Sequence, residues 1–380
     1  MSSPTFSYWE KQHFFHADVL IVGSGIVGLT AAIHLKVTAP DLRILVLERG
    51  FLPAGASTKN AGFACFGSIS ELIEQENRVG TDGLHQLIAK RWNGLQKLRS
   101  LVGDENLAYQ AYGGYELFKT EEDTLAHECV SKMEHYNTIV QDIIGTKAVY
   151  QRANEHIQTF GFKGISTLIK NEYEAQIDPG RMMRSLMQKA GALGISLLNH
   201  CNVSQIREQQ QGLSIETPFG NFTAEQVLLT TNAFIRDLLP SIDVVPGRGQ
   251  VLITKPITGL QLKGTFHYDK GYYYFRNVDN RILLGGGRNL DFEAEKTYEF
   301  GETLRVQEAL FTLLKDIILP GTTFEIEQKW SGIMAFGNTL QPQIEEVKPG
   351  VFCAVRCNGM GIAMGSQTGE EAAQLVLDRR

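Results

Sequence analysis

The sequence predicts an α/β fold in which a Rossmann-like parallel sheet carrying a β-meander is joined to an α+β second domain built on an antiparallel sheet. Three observations carry this: an apolar run ending in a glycine-rich turn near the start, a β-rich stretch in the third quarter, and a second glycine-rich segment near the end. Residues 19–22, Val-Leu-Ile-Val, form a continuous apolar run of the kind buried on both faces of a parallel sheet. Gly23-Ser24-Gly25-Ile26-Val27-Gly28 follows at once and matches G-x-G-x-x-G, and residues 29–35 continue as a small-residue helix able to pack closely on the strand. A second strand over residues 43–47 ends in Glu48, twenty residues after Gly28, where a carboxylate can accept hydrogen bonds from the hydroxyls of an adenosine ribose. Gly23 permits the tight turn, Gly25 lets a pyrophosphate approach the backbone, and the helix N-terminus supplies amide donors and a positive dipole end. Strand, turn, helix, strand and acid in register predict a bound dinucleotide.

Composition narrows the partners. A chain of 380 residues holds two or three domains of about 150 residues each. Lys and Arg number 36 against 42 Asp and Glu, a net charge of −6 without a basic block, which excludes a phosphate-tracking nucleic-acid surface. Five cysteines, with no CxxC and no zinc spacing, fit a reducing compartment, so the cytoplasm is expected and no metal site is. The first sixteen residues lack the basic start and apolar stretch of a secretory signal. The weakly charged run over residues 19–33 is fifteen residues long, short of the roughly 20 that span a bilayer, so no transmembrane segment is expected.

Further along, Asp178-Pro179 reads as an N-cap followed by proline at the first helical position, opening a helix that stops at Gly194. A strand over residues 195–198 follows. Turn chemistry at residues 209–212 and 218–221 then divides residues 204–230 into a β-meander. The meander delivers Thr231 and Asn232 to a strand end, where ligands bind in such sheets, although a polar loop without a role reads the same way. Strands at residues 250–254, 272–276 and 281–285 predict the second sheet. With period two, Tyr272 and Tyr274 share one face and Tyr273 and Phe275 the other, and the sequence does not decide which pair faces a ligand. His85, His127, His135 and His156 lie in a helix-rich stretch without metal spacing. After a strand at residues 351–355, the glycine loop 359–365 and a helix from Gln367 leave too little chain for a second nucleotide fold.

With these motifs in order, DVLIVGSGIVGLTAAIHL with Glu48, then ASTKNAGF, GRGQVL, WSGIMAFG and NGMGIAMGSQTG, nearly the whole chain resembles the D-amino-acid-oxidase-like FAD-dependent oxidoreductases. That family holds glycine oxidase, sarcosine oxidase and γ-glutamylputrescine oxidase. The resemblance implies an FAD-binding domain from residues 17–80, 170–240 and 328–380, and a substrate-binding domain from residues 81–169 and 241–327. It implies cofactor contacts from the first glycine turn, from Glu48 and Arg49, and from the loop Ser57, Thr58, Lys59, Asn60, Ala61 and Gly62. It adds the backbone of Val203, then Thr231 and Asn232, and around the ring Gly332, Ile333, Asn358, Gly359, Met360, Gly361 and Ile362. The FAD is expected to be non-covalent, because residues 330–336, where sarcosine-oxidase-like members carry the tethering cysteine, contain none.

The resemblance further implies oxidation of an amine or amino acid by hydride transfer from its α-carbon to flavin N5, giving an imine that hydrolyses. Since the cofactor carries the difficult step, no Ser/His/Asp or Cys/His constellation is required, and none is found. A flavin dehydrogenase for a 2-hydroxy acid or polyol phosphate is the alternative, and a nucleotide-binding protein without catalysis is the remaining class. Glycine-oxidase-like members hold the substrate carboxylate with an arginine where this chain has Met334, and their later arginine is displaced here to Arg356. Arg248, Arg276 and Arg356 are thus alternative anion partners or structural arginines, and Tyr272 and Tyr274 candidate pocket walls. Leu283 stands where sarcosine-oxidase-like members place a lysine for oxygen activation, so a quinone or protein acceptor is favoured over oxygen.

Overall fold

The computed structural model describes residues 5–380. Its first sheet has the strand order Gln343–Lys348, Val351–Val355, Gly220–Leu229, His16–Val22, Ile44–Leu47 and Ser196–Leu198. His16–Val22 pairs in parallel with both neighbours, Leu20 standing opposite Val227 on one side and Leu45 on the other. The backbone of Gly23 donates to the Leu47 carbonyl at 2.8 Å and that of Thr230 to the Val22 carbonyl at 2.9 Å, so three strand ends meet at one edge. Strands Gln205–Glu208, Leu213–Thr217 and Gly220–Leu229 form the expected antiparallel meander. The central strand is buried on both faces: Val19 and Ile21 pack under helices, Leu20 and Val22 under the meander.

Helices cover the first of those faces. Helix Pro179–Ala192 is capped by Asp178, whose Oδ1 accepts from the Arg181 amide at 3.0 Å. Helix Gly361–Asp378 begins six residues before the expected Gln367. Gly365 and Gly369 are packing surfaces, not loop residues: a Cβ on Gly369 would lie 2.1 Å from Thr30 Oγ1 and 2.6 Å from the Val27 carbonyl. Residues 69–102 are two helical segments that meet at Gly80 (φ 72°).

The second sheet runs Ile326–Phe336, Val245–Thr254, Arg281–Gly286, Tyr273–Val278, Thr265–Tyr268, Gly114–Lys119, Ile165–Asn171 and Tyr150–Arg152. Strand Ile326–Phe336, assigned on sequence mostly with the first unit, pairs along Val245–Thr254 and is therefore an edge of this sheet. The open question about the tyrosines is answered by packing. Phe275 stacks on Phe266 at 4.7 Å within the second core, which also takes Tyr273, whereas Tyr274 turns the other way onto Phe63, ring centroids 5.6 Å apart. Among the described residues no helix is long and apolar enough to cross a membrane.

Candidate active site

A cavity of about 490 Å³ lies where the converging strand ends of the first sheet face the second sheet. On the first-sheet side its wall starts with Gly23, Gly25, Ile26 and Val27. The 13-residue helix Ile26–Thr38 has Gly25 as N-cap, which offers no capping side chain of its own; the Ile26 amide donates to Ser57 Oγ at 3.0 Å, and the Val27 amide behind it has no side-chain acceptor among the described residues. The 18-residue helix Gly361–Asp378 likewise begins without a side-chain cap, and Gly361 and Ile362 line the same cavity. Two helix N-termini with free amides and positive dipole ends therefore open on one space, an arrangement that suits a ligand carrying negative charge.

Glu48 is buried beside the glycine turn. Its Oε2 accepts from the Ser24 amide (3.1 Å) and hydroxyl (2.8 Å), and Oε1 accepts from the Gly50 amide at 2.8 Å. These use three of its roughly four acceptor positions and hold the carboxylate still at the cavity wall. Thr231 Oγ1 is buried without a partner among the described residues, a donor left over for a ligand. The residues expected at the cofactor all line the cavity except Ser24, Gly28 and Thr58. Ser24 lies beneath the turn on Glu48. Gly28 packs against the turn itself, where a Cβ would sit 2.0 Å from the Gly23 carbonyl, and Thr58 donates to the Pro53 carbonyl at 2.8 Å.

Of the substrate candidates, Tyr272, Tyr274 and Met334 line the cavity. Burial pushes the Tyr274 phenol up to about 12, so it is a neutral hydrogen-bonding group. Arg248 and Arg356 do not line it. Arg248 is paired through two nitrogens with Glu295, at 2.8 and 3.1 Å, and Arg356 donates to the Asp243 carbonyl at 2.8 Å and to Thr339 Oγ1 at 2.8 Å. Each guanidinium is paired with a carboxylate, Arg248 with Glu295 and Arg356 with Asp243, and lies off the cavity wall, which corrects the expectation that either is free for a substrate anion. Arg276 is buried behind Gly62, outside the cavity wall.

Sequence reasoning missed the polar part of the far wall: Glu71, Glu74 and Arg78 from the helical stretch 69–102, His267 from strand Thr265–Tyr268, and Arg288 just after strand Arg281–Gly286. A signal existed for Glu71, since Ser68-x-x-Glu71 is a capping box, formed with Glu71 Oε2 accepting from the Ser68 amide at 3.0 Å. His267 carries an imidazole 3.0 Å from Glu174 and 4.0 Å from Glu71. Burial pulls its pKa down, but Glu174 and Glu71 prevail and raise it to about 9, so the cavity holds an imidazolium at neutral pH. Cys65 lies against this pair, its thiol pushed well up by burial and by Glu174. A folded-state value above the unfolded 6.5 gives stability fully present below pH 6.5 and lost as pH rises through about 9. Denaturant unfolding is expected to show a loss on the order of 3 kcal/mol across that window, absent in His267→Gln. An equal slope in both proteins would rule out His267 as the titrating group.

Comparison with known proteins decides the family. The profile of the DAO family, described as FAD-dependent oxidoreductase, matches residues 18–375. The chain belongs to this family of FAD-dependent oxidoreductases. Similar proteins include the probable oxidoreductase OrdL of Rhizobium meliloti (25% identical over 381 residues, 96% of this chain and 83% of that protein). Glycine oxidase of Geobacillus kaustophilus is 25% identical over 380 residues, covering 94% and 92%. The crystal structure of that glycine oxidase superposes with a TM-score of 0.74 over 96% of each chain at 20% identity, and L-proline dehydrogenase from P. horikoshii with 0.74 over 96% and 94% at 17%. These superpositions establish the fold of the oxidoreductase, and its cofactor is FAD. The free amides, the spare Thr231 hydroxyl and the fixed Glu48 carboxylate fit a dinucleotide of that kind.

Proposed function

We propose that this oxidoreductase oxidises an amine or amino acid at the cavity. The observation that carries the reading is the continuity of one cavity from the glycine turn to Tyr272, Tyr274 and Met334, which puts a substrate-sized aromatic wall beside the dinucleotide cradle. Names of similar proteins, glycine oxidase and γ-glutamylputrescine oxidoreductase among them, support this substrate class. Gly25, Ile26 and Val27 would hold the pyrophosphate, Glu48 the ribose, and Gly361 and Ile362 the pyrimidine side of the ring. When bound, FAD supplies the hydride acceptor.

The chain's own residues bind, orient and exclude water. Phe63, Tyr274 and Met334 make an apolar wall against which a substrate α-carbon can be held dry. Glu71 and the His267–Glu174 pair offer a polar wall for an amine. An amine must bind uncharged to give up hydride.

The test is anaerobic bleaching of the bound flavin by a panel of amines, amino acids and 2-hydroxy acids. Bleaching by an amine or amino acid is the expected result. Bleaching by hydroxy acids alone would replace the reading with the C–O–H alternative. The same preparation checks the mode of attachment: acid precipitation is expected to leave a colourless pellet and a yellow supernatant. No cysteine lies in strand Ile326–Phe336, and Cys353 and Cys357 are buried thiols held neutral by burial. A yellow pellet would point to Cys357, which lines the cavity as Cys65 and Cys201 do and Cys353 does not.

A further inference from the structure

Arg288 is a cation of this cavity without an ion-pair partner among the described residues. It follows the strand Arg281–Gly286 through Gly287, and its guanidinium carbon lies 4.0 Å from the ring centre of Phe336 and 4.9 Å from that of Phe292. Two other arginines that the sequence offered as anion partners are committed: Arg248 to Glu295, Arg356 to Asp243. Arg288 forms no ion pair and no side-chain hydrogen bond with any described residue, and the nearby Glu295 already accepts from Arg248, Gln250 and Thr303. Partial burial without a counter-charge is costly, and a guanidinium stacked on rings keeps its planar face occupied while its N–H edge stays available.

The floor beneath it places that edge beside the substrate wall. Gly247 and Gly249 share one face of strand Val245–Thr254, two residues or roughly 7 Å apart. A Cβ on Gly247 would lie 3.1 Å from Arg288 Nη1 and 2.5 Å from the Phe336 ring. One on Gly249 would lie 2.9 Å from Met334 Cε and 3.8 Å from Tyr274 Oη. The two missing side chains thus leave room for Arg288, Phe336, Met334 and Tyr274 to lie side by side over one strand.

We infer that Arg288 is the anion subsite of the cavity and sets its specificity: it takes the carboxylate of an amine-bearing acid whose carbon skeleton lies against Met334 and Tyr274. This rests on the proposed amine or amino-acid oxidation. Arg288 reaches the site from the end of strand Arg281–Gly286, so the apolar Met334 is compatible with an acidic substrate. The two N–H groups of one guanidinium edge match the two oxygens of a carboxylate.

The experiment uses the FAD-loaded protein and reads the shift of flavin absorption on titration with benzoate and with its neutral isostere benzamide, so turnover is not needed. Arg288→Met is expected to weaken benzoate about 10- to 150-fold, the range for lost charge-assisted hydrogen bonds, and to change benzamide less than about 2-fold. Arg288→Lys, which keeps the charge without the fork, should fall between. With a reducing amino acid, KM should rise by a similar factor with kcat changed far less. Adding Met334→Arg to Arg288→Met should restore part of the benzoate affinity, because both side chains reach the same glycine floor. Flavin content reports whether each variant folds. Unchanged benzoate affinity in Arg288→Met, or no benzoate response in the native protein, overturns the inference while leaving amine oxidation standing. Failure of every amine and amino acid to bleach the flavin overturns the reading on which it rests.

Discussion

Gly25→Val is expected to yield a folded, colourless protein, with FAD affinity lower by about 100-fold or more. Gly25 is in extended backbone (φ −71°, ψ −179°), a conformation valine adopts readily, so the variant adds no backbone strain. Its Cβ would lie 3.0 Å from Ser57 Oγ, the atom that accepts from the Ile26 amide, and the two methyls would stand where a pyrophosphate must meet the free amides of helix Ile26–Thr38. The effect is on the ligand. Gly28 makes the contrast, because a Cβ there would collide with the Gly23 carbonyl at 2.0 Å and with Thr230 Oγ1 at 2.6 Å, damaging the turn itself. Far-ultraviolet circular dichroism should match the native protein, and a given concentration of added FAD should raise the thermal midpoint of the native protein more than that of the variant, since a ligand's stabilisation grows with the logarithm of its concentration over Kd. A Gly25→Val protein that purifies with full flavin content would show that the pyrophosphate lies elsewhere.

The difference between Gly25 and Arg248 explains what the sequence could reveal. Gly23 to Glu48 is a local unit, in which strand, turn, helix and acid follow one another and hydrogen-bond among themselves, as Ser24 does with Glu48. Such a unit announces itself in order and spacing. Arginines announce only a charge. Whether that charge is spent depends on Glu295, 47 residues from Arg248, and on Asp243, 113 residues from Arg356, and no local pattern joins them. His267 was illegible for the same reason. It sits in the four-residue strand Thr265–Tyr268, which pairs with Gly114–Lys119 some 150 residues away, and it becomes chemically distinct only beside Glu174. The start of helix Gly361–Asp378 was misread because glycines argue for a loop by propensity, whereas Gly365 and Gly369 are required for contact with Ile26 and Thr30.

Arg248→Met is expected to destabilise the oxidoreductase by about 3–5 kcal/mol at neutral pH while leaving flavin content and the spectrum of the folded protein unchanged. Glu295 is 1% exposed at its side chain and Arg248 10%, and removing the cation strands a buried carboxylate with only Gln250 Nε2 at 2.8 Å and Thr303 Oγ1 at 3.2 Å as donors. Burial acts to raise the Glu295 pKa, but hydrogen bonds from Arg248 and Gln250 prevail and hold it below the usual carboxylate value. In the native protein the pair's contribution is therefore present above pH 4.5 and lost as pH falls through the depressed value. Without Arg248 the opposing burial effect dominates, the carboxyl titrates at a higher pH, and the deficit should shrink as the medium is acidified. Denaturant unfolding of both proteins at pH 7.5 and pH 5 measures this. Glu295→Gln in the Arg248→Met background should recover part of the lost stability at neutral pH, since it removes the stranded charge and keeps an acceptor for Gln250. A deficit below about 1 kcal/mol, or one that does not change with pH, would mean that Arg248 and Glu295 are screened like an exposed pair. A loss of flavin from the folded variant would return Arg248 to the cavity.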